Sequence, residues 1–264
     1  MTGQKRSWLD RLLYSVQPTY VSAYTPPPRQ LDDGLWIVER QLRLPPALLL
    51  PVRMTVLRLQ TGTLLLHSPV KLDLVIEEWL RKLGAVAAVV APNSFHYMFV
   101  EAYLTMFPTA RFFAAPDLPE RVPSLPAATV LEDRSPELWA GEIEQVVFGP
   151  IRQFTEVVFF HRPTAALILT DLAFNFTDFT STANRVAWRF SGVPPRFGPS
   201  RSARLTLLRD KITAGSYLRR ICAWPFRRIL VTHGAVVETN AQEEFRRAFA
   251  PYLGRVSTTA SSVT

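Results

Sequence analysis

Leu35–Glu39 reads as a short alternating strand, and Met54–Leu59 and Thr63–His67 as the two strands of a hairpin. Thr61-Gly62, between the last two, predicts a hairpin turn. From Leu72 to Leu83 the period lengthens. Leu72, Val75, Ile76, Trp79, Leu80 and Leu83 recur at helical spacing, and Gly84 follows as a C-terminal cap. Val86–Ala91 is apolar throughout, as in a strand covered on both faces. A helix from about Tyr97 to Phe107 then precedes Pro108. Further strands are predicted at Arg111–Ala114, Ile143–Phe148, Glu156–His161, Ala166–Thr170 and Ile229–Thr232, and an amphipathic helix at Ala241–Phe249. Strands in two groups with helices around them predict an α/β chain of two packed sheets flanked by helices.

Both ends differ from this pattern. In residues 1–30, positions 9, 12, 13 and 16 share a helical face beside Trp8, and Pro26-Pro27-Pro28 favours an extended spacer. An amphipathic, proline-rich arm over 1–30, a globular domain over 31–253 and a disordered polar tail over 254–264 are expected. The N-terminus lacks the apolar centre and cleavage site of a secretory leader. The longest apolar run, Ala85–Ala91, is far short of the ~20 residues that cross a bilayer. A cytoplasmic protein is expected, peripheral on a membrane at most.

Of 264 residues 48% are apolar, enough to bury a sizeable core. One cysteine, Cys222, excludes an intramolecular disulfide and a cysteine-based zinc cluster. The net charge of +8 is concentrated. Arg185, Arg189, Arg196, Arg201, Arg204, Arg209, Arg219, Arg220, Arg227 and Arg228, with Lys211, face Asp210 as the only acid in that stretch. The chemistry suits an acidic protein surface or an anionic membrane surface, within a larger complex, and these arginines together with Trp8 and Leu12 are the candidate partner-binding residues. Nucleic acid is not expected, because no recognised binding motif accompanies the charge. Trp188, Trp224 and Phe226 lie among the arginines, where they would either pack between helices or meet a ligand.

The order of elements and their punctuation resembles the metallo-β-lactamase superfamily, a four-layer αββα sandwich. The residues that carry the resemblance are Leu64-Leu-Leu-His67-Ser-Pro, Pro92-Asn-Ser-Phe-His96-Tyr97, Leu169-Thr-Asp171-Leu and Leu230-Val-Thr-His233-Gly234. Within that superfamily the chain is most similar to domain-of-unknown-function family 4336. The resemblance implies a metal-supporting cleft, in which Asp171 stands at the bridging aspartate and His233 at the final histidine. The parent loop His-x-His-x-Asp-His is reduced here to His96 and Asn93, and a middle histidine would fall near Arg152 or Gln153. Neither of those replaces it, since a guanidinium repels a cation and amides bind zinc poorly.

All four histidines, His67, His96, His161 and His233, lie at or just after predicted strand ends. With Asp171 they form either a rearranged site for one zinc or iron ion, or a hydrogen-bonded remnant with no cofactor. A Ser68–His67 pair is not expected, because neighbours on a strand point to opposite faces. Glu156 and His161-Arg162 are read as structural, and Phe174–Phe179 as core or as cover for a pocket. Three functions remain open at this level. They are a non-catalytic interaction or assembly subunit, a reduced-site metal-dependent hydrolase of a phosphorylated or acyl substrate, and a binding module for an anionic small molecule or lipid headgroup.

Overall fold

The computed structural model describes residues 19–254 apart from 22, 46–47, 152–153, 178–180 and 191. Trp8, Leu12 and the tail after 254 lie outside the described residues, as do Arg152 and Gln153.

Among the described residues, twelve strands form two sheets. The larger runs in the order β1 (Thr19–Tyr20), β3 (Leu35–Leu44), β4 (Leu48–Arg58), β5 (Leu64–His67), β6 (Val86–Ala91), β7 (Arg111–Ala114), β8 (Thr129–Val130), with β2 (Arg29–Asp32) paired to β3. The smaller runs β12 (Arg228–Val231), β11 (Ala166–Leu169), β10 (Phe154–His161), β9 (Ile143–Ile151). Alternation along each strand sorts side chains into layers. Leu35, Ile37, Leu65, Ala88 and Val90 of the larger sheet share one buried cluster with Val157, Phe159, Ile168 and Leu230 of the smaller. The intervening residues Trp36, Val38, Leu66, Val89 and Ala91 pack on α1 (Leu74–Leu83) and α2 (Val100–Met106) through Ile76, Leu80, Val100 and Tyr103. Val158, Phe160, Leu167 and Val231 pack on α6 (Lys211–Cys222) and α7 (Ala241–Leu253) through Leu218, Ile221, Phe245 and Phe249. The result is helix, sheet, sheet, helix, the αββα order expected from the sequence. Three further α-helices are α3 (Leu118–Arg121), α4 (Thr182–Phe190) and α5 (Arg201–Leu205), and a 3-10 turn spans Glu137–Trp139.

The hairpin expected of Met54–Leu59 and Thr63–His67 forms as β4 and β5, and β3 and β4 are each longer than the sequence pattern predicts. β3 and β4 pair continuously from Leu35↔Leu57 to Leu44↔Leu48. The extension is masked in the sequence by Glu39, Arg40, Pro51 and Arg53, all within the paired region. Both arginines are buried yet partnered: Arg40 bonds Asp73 Oδ2 at 2.8 Å, and Arg53 bonds Glu39 Oε1 at 2.5 Å. Asp73 also caps α1, accepting Ile76 N at 2.9 Å, so Arg40 anchors that helix to the sheet. The helix expected from Tyr97 begins only at Val100, because residues 94–99 are wound into turns that carry His96. At the N-terminal side, Thr19–Tyr20 pairs with Leu42–Arg43, and Arg29–Gln30 with Trp36–Ile37, so sheet pairing extends into the segment read as an arm.

Candidate functional site

Strand direction decides which histidines meet. β5 and β6 are parallel, with His67 opposite Val90, so Ser68 and the loop 92–96 leave the larger sheet at the same end. β11 and β12 are parallel, with Leu169 opposite Val231, so Asp171 and His233 leave the smaller sheet together. Val157 N donates to Pro92 O at 2.8 Å, tying the β6 loop to β10 and bringing the two ends together.

His96 Nε2 lies 3.2 Å from Asp171 Oδ2, and His233 Nε2 lies 3.2 Å from Asp171 Oδ1. One donor atom from each of the three residues falls within 4.8 Å of the others, the spacing a single metal ion requires. Each group is held from behind. Asn93 Nδ2 donates to Asp171 Oδ2 at 2.7 Å and to Thr170 Oγ1 at 3.0 Å, while its Oδ1 accepts Phe95 N and His96 N. His233 Nδ1 donates to Pro51 O at 2.8 Å, and Phe174 stacks on the His233 ring with centroids 4.9 Å apart. His96 Nδ1 shares a 2.7 Å hydrogen bond with Ser68 Oγ. Burial acts to raise the Asp171 carboxyl, but the facing His96 and His233 rings hold it well below the usual carboxylate range.

Glu156 is structural, as expected. Fully buried, it accepts the backbone N–H groups of Thr170, Asp171 and Leu172, each at 2.8 Å, and so shapes the turn that presents Asp171. Burial and the Asp171 charge raise its carboxyl to about 8, against the pull of those three donors.

Two of the histidines proposed as ligands do not join the site. His161 ends β10, which runs antiparallel to β11, so it lies opposite Ala166 at the far end of the sheet from Asp171. Its Nδ1 bonds Thr164 Oγ1 at 2.8 Å. His67 points between the sheets, edge-on to Phe159 with ring centroids 5.1 Å apart. Neither of its ring nitrogens has a hydrogen-bond partner among the described residues.

Burial, with His96 nearby, pushes His67 from 6.5 down to about 3. The unfolded chain therefore binds a proton that the folded one refuses between those values. His67 should cost about 1.4 kcal/mol of stability for each pH unit below about 6.5, down to about 3. Replacing His67 by leucine should leave stability at pH 7 equal or higher and flatten the acid limb of a denaturation series. Parallel acid limbs for parent and variant would show that His67 protonates without penalty.

Ser68 and Asn93 were the partners least visible in the sequence. Ser68 does not pair with His67, as strand alternation requires. A left-handed backbone at Ser68 (φ 57°) instead turns its hydroxyl toward His96. Asn93 announces itself only as Pro-Asn after a buried strand, a pattern suited to a side chain that bonds backbone N–H groups two residues on.

The cluster sits in the wall of a cavity of about 360 Å³. Leu42, Leu44, Leu50, Val52, Val70, Phe95, Phe99, Phe154, Phe174 and Trp188 line it, with Met98 and the α5 residues Ser202 and Ala203. Ser68, His96, Asp171 and His233 meet at one region of this largely apolar wall, and Arg121, paired to Asp117 at 3.0 Å, is the one arginine or lysine of the lining among the described residues. Trp188, Trp224 and Phe226 are buried, which leaves them as packing residues rather than a surface for bases or lipid. Of the ten arginines, Arg228 is half-buried against Asp32 and Arg220 pairs with Asp133, while Arg185, Arg189, Arg196, Arg201, Arg204, Arg209, Arg219 and Arg227 are exposed.

A family model described as Domain of unknown function (DUF4336) matches residues 32–186, which include His96 and Asp171. Solved structures share the fold at low identity. The FIM-1 metallo-β-lactamase of Pseudomonas aeruginosa in its mono-zinc form is 15% identical, with 89% of this chain and 95% of that chain covered at a TM-score of 0.57. A metallo-β-lactamase of Pontibacter korlensis is 10% identical, with 86% and 99% covered at 0.60. A flavo di-iron protein of Thermotoga maritima is 13% identical, with 89% and 62% covered at 0.59. A comparison with curated proteins gives no match.

Proposed function

The chain belongs to the family described as Domain of unknown function (DUF4336), with the metallo-β-lactamase fold, and we propose that it is a one-metal hydrolase acting on an ester or thioester with an apolar group. The observation that carries this reading is the chemistry of the donor set. Pro51 O can only accept, so His233 Nδ1 carries a proton, and a neutral ring then turns the Nε2 lone pair toward the Asp171 carboxylate at 3.2 Å. Two acceptors face each other there unless a proton or a cation lies between them. His96 repeats the arrangement when it donates from Nδ1 to Ser68. Imidazoles fixed from behind in this way are the usual setting of zinc and iron ligands. His96 Nε2, His233 Nε2 and an Asp171 oxygen would hold the ion. When bound, zinc or iron supplies Lewis acidity and activates water near neutral pH.

The chain's own residues do the rest. Asn93 keeps the Asp171 carboxylate turned toward the imidazoles, and Ser68 and Pro51 fix the two rings. The apolar wall excludes bulk water and binds the hydrocarbon part of a substrate, which favours an acyl over a phosphorylated one. Ser68 orients rather than attacks. Its own N–H is bonded to Val90 O at 2.9 Å and the next residue, Pro69, has none, so neither flanking amide is available to an oxyanion beside Oγ. Among the structural neighbours, one is a mono-zinc form and another a flavo di-iron protein.

Purified, metal-replete protein should contain one equivalent of zinc or iron, and replacing His233 by alanine should weaken its binding by at least ~100-fold. The same substitution should abolish hydrolysis of medium-chain p-nitrophenyl esters. Metal-free protein after reconstitution, or two equivalents held tightly, contradicts the proposal.

A further inference from the structure

We propose that α4 and α5, which bound the cavity, together with the start of α6, dock on an anionic lipid bilayer, from which the cavity admits an apolar chain. The inference rests on the site reading for what happens to that chain, but not for the docking.

Trp188 of α4 and Ser202 and Ala203 of α5 line the cavity, and the two helices are joined where Arg201 N donates to Gly192 O at 3.0 Å. These two helices and the start of α6 turn large apolar side chains outward: Phe190 is 79% exposed, Leu205 61% and Ile212 84%. Exposed apolar residues of this size are normal singly. Here they alternate with cations on short consecutive helices, Arg189 beside Phe190, Arg204 beside Leu205, and Lys211 beside Ile212. Among the described residues Arg189, Arg201, Arg204 and Arg209 have no carboxylate partner. The one local acid, Asp210, is committed to capping α6 through Ile212 N and Thr213 N. The segment therefore carries uncompensated positive charge with apolar side chains standing among it.

That combination matches a bilayer better than an acidic protein face. Arginine headgroups reach lipid phosphates while the intervening Phe, Leu and Ile enter the acyl boundary, each process strengthening the other. A protein partner would need a complementary acidic surface that also offers sockets for these residues, whereas a bilayer meets both requirements without a matched shape. The cavity adds a second reason. Its wall is apolar and is bounded by α4 and α5, which carry Phe190 and Leu205, so a chain leaving the bilayer could enter it without crossing open water. The expectation from sequence spread the basic face over 185–228. Within that span Arg220 is paired to Asp133 and Arg228 to Asp32, which leaves the arginines on and around α4 and α5 as its uncompensated part.

Full-length protein should be tested for co-sedimentation with vesicles of phosphatidylcholine alone and of phosphatidylcholine mixed with phosphatidylglycerol. Binding should require the anionic lipid and fall steeply as salt is raised. The triple reversal Arg189→Glu, Arg201→Glu and Arg204→Glu should lower partitioning at least ~100-fold, at about 1 kcal/mol per cation near the surface. The pair Phe190→Ser and Leu205→Ser should lower it at least ~10-fold at constant charge. Brominated acyl chains should quench Trp188, read as the difference from a Trp188→Phe variant, and that quenching locates the chain in the cavity. Equal binding to neutral vesicles, no binding to either, or binding indifferent to the reversals overturns the proposal. So does capture of an acidic polypeptide by the protein while vesicles are ignored. Metal-stripped protein and His233→Ala should sediment with vesicles as the parent does, so a failure of the metal reading shows in metal content and leaves the docking result intact.

Discussion

Replacing Arg53 by alanine is expected to cost about 3–5 kcal/mol of folding stability, among the largest effects of any single side-chain truncation in this protein. The guanidinium is buried and stands where the two sheets meet. It bonds Glu39 Oε1 at 2.5 Å and Gly234 O at 2.6 Å, and it also donates to Val231 O. Truncation leaves a half-buried carboxylate without its counter-ion and two carbonyls without their donor, each carbonyl worth about 1–3 kcal/mol when stranded. Because those carbonyls flank His233, the loss is also local. Pro51 O, also on β4, holds only the His233 ring. Metal affinity should therefore fall in parallel with stability. Lysine should rescue little, since a point-charge ammonium cannot address three acceptors as the planar fork does. Urea denaturation provides the stability reading and zinc titration the second. Arg247, exposed and paired only with Glu244 one helical turn away, is the matched control and should change neither. An Arg53→Ala variant within 1 kcal/mol of the parent would mean that the inter-sheet anchor lies elsewhere.

The position of Arg53 also shows where sequence reading stops. A charged residue in the middle of an apolar alternation reads as the edge of a strand, so the hairpin was legible only over its outer half. The buried arginines that extend it are intelligible once Glu39, Asp73 and the backbone carbonyls are seen beside them. The convergence of His96, Asp171 and His233 was legible because each follows a strand with a strong apolar signature, and parallel strands end together. His161 had the same local signature and failed for a global reason: β10 runs the other way. His67 failed for a reason of one dihedral. The left-handed turn falls at Ser68, one residue late, and leaves the imidazole in the core while the hydroxyl reaches the site. Strand ends can be read from pattern. Strand direction and the sense of a single turn cannot.

The same distinction bears on function. Loss of most parent ligands suggested a retired site, yet His96, Asp171 and His233, which could hold a metal, are the residues that both sheets deliver to one point. Their supports, Asn93, Ser68, Pro51 and Glu156, come from four different segments. Holding loops together would not by itself call for a wall of apolar residues around the cluster, since hydrogen-bonded histidines serve that purpose equally well in a filled core. The cavity beside them is what favours chemistry.

Gly234 offers the sharpest test of how that site is built, and Gly234→Ala should be as damaging as the loss of Arg53. Its φ of +110° lies outside the range that side chains tolerate, which alone costs about 1–3 kcal/mol. A Cβ there would also come within 2.1 Å of Asn175 O and 2.5 Å of Asn175 C. Backbone must move, and the backbone in question is bonded on both sides: Asn175 N donates to His233 O at 3.0 Å, and Ala235 N to Asn175 O at 2.8 Å. Separating these segments would withdraw Phe174 from its stack on His233 and open the cavity wall. Gly62 serves as the comparison. It too has a left-handed backbone, φ +79°, but nothing lies within 4 Å of its missing Cβ. Gly62→Ala should then cost only the backbone term, about 1 kcal/mol, and leave metal binding unchanged. Gly234→Ala should lose about 3–5 kcal/mol together with the metal, adding about 1 kcal/mol for each of the two hydrogen bonds to the backbone term. Thermal melts and zinc titration of the two variants side by side separate strain from contact. Equal destabilisation by the two substitutions would mean that close packing of the Asn175 strand on His233-Gly234 does not hold the site in place.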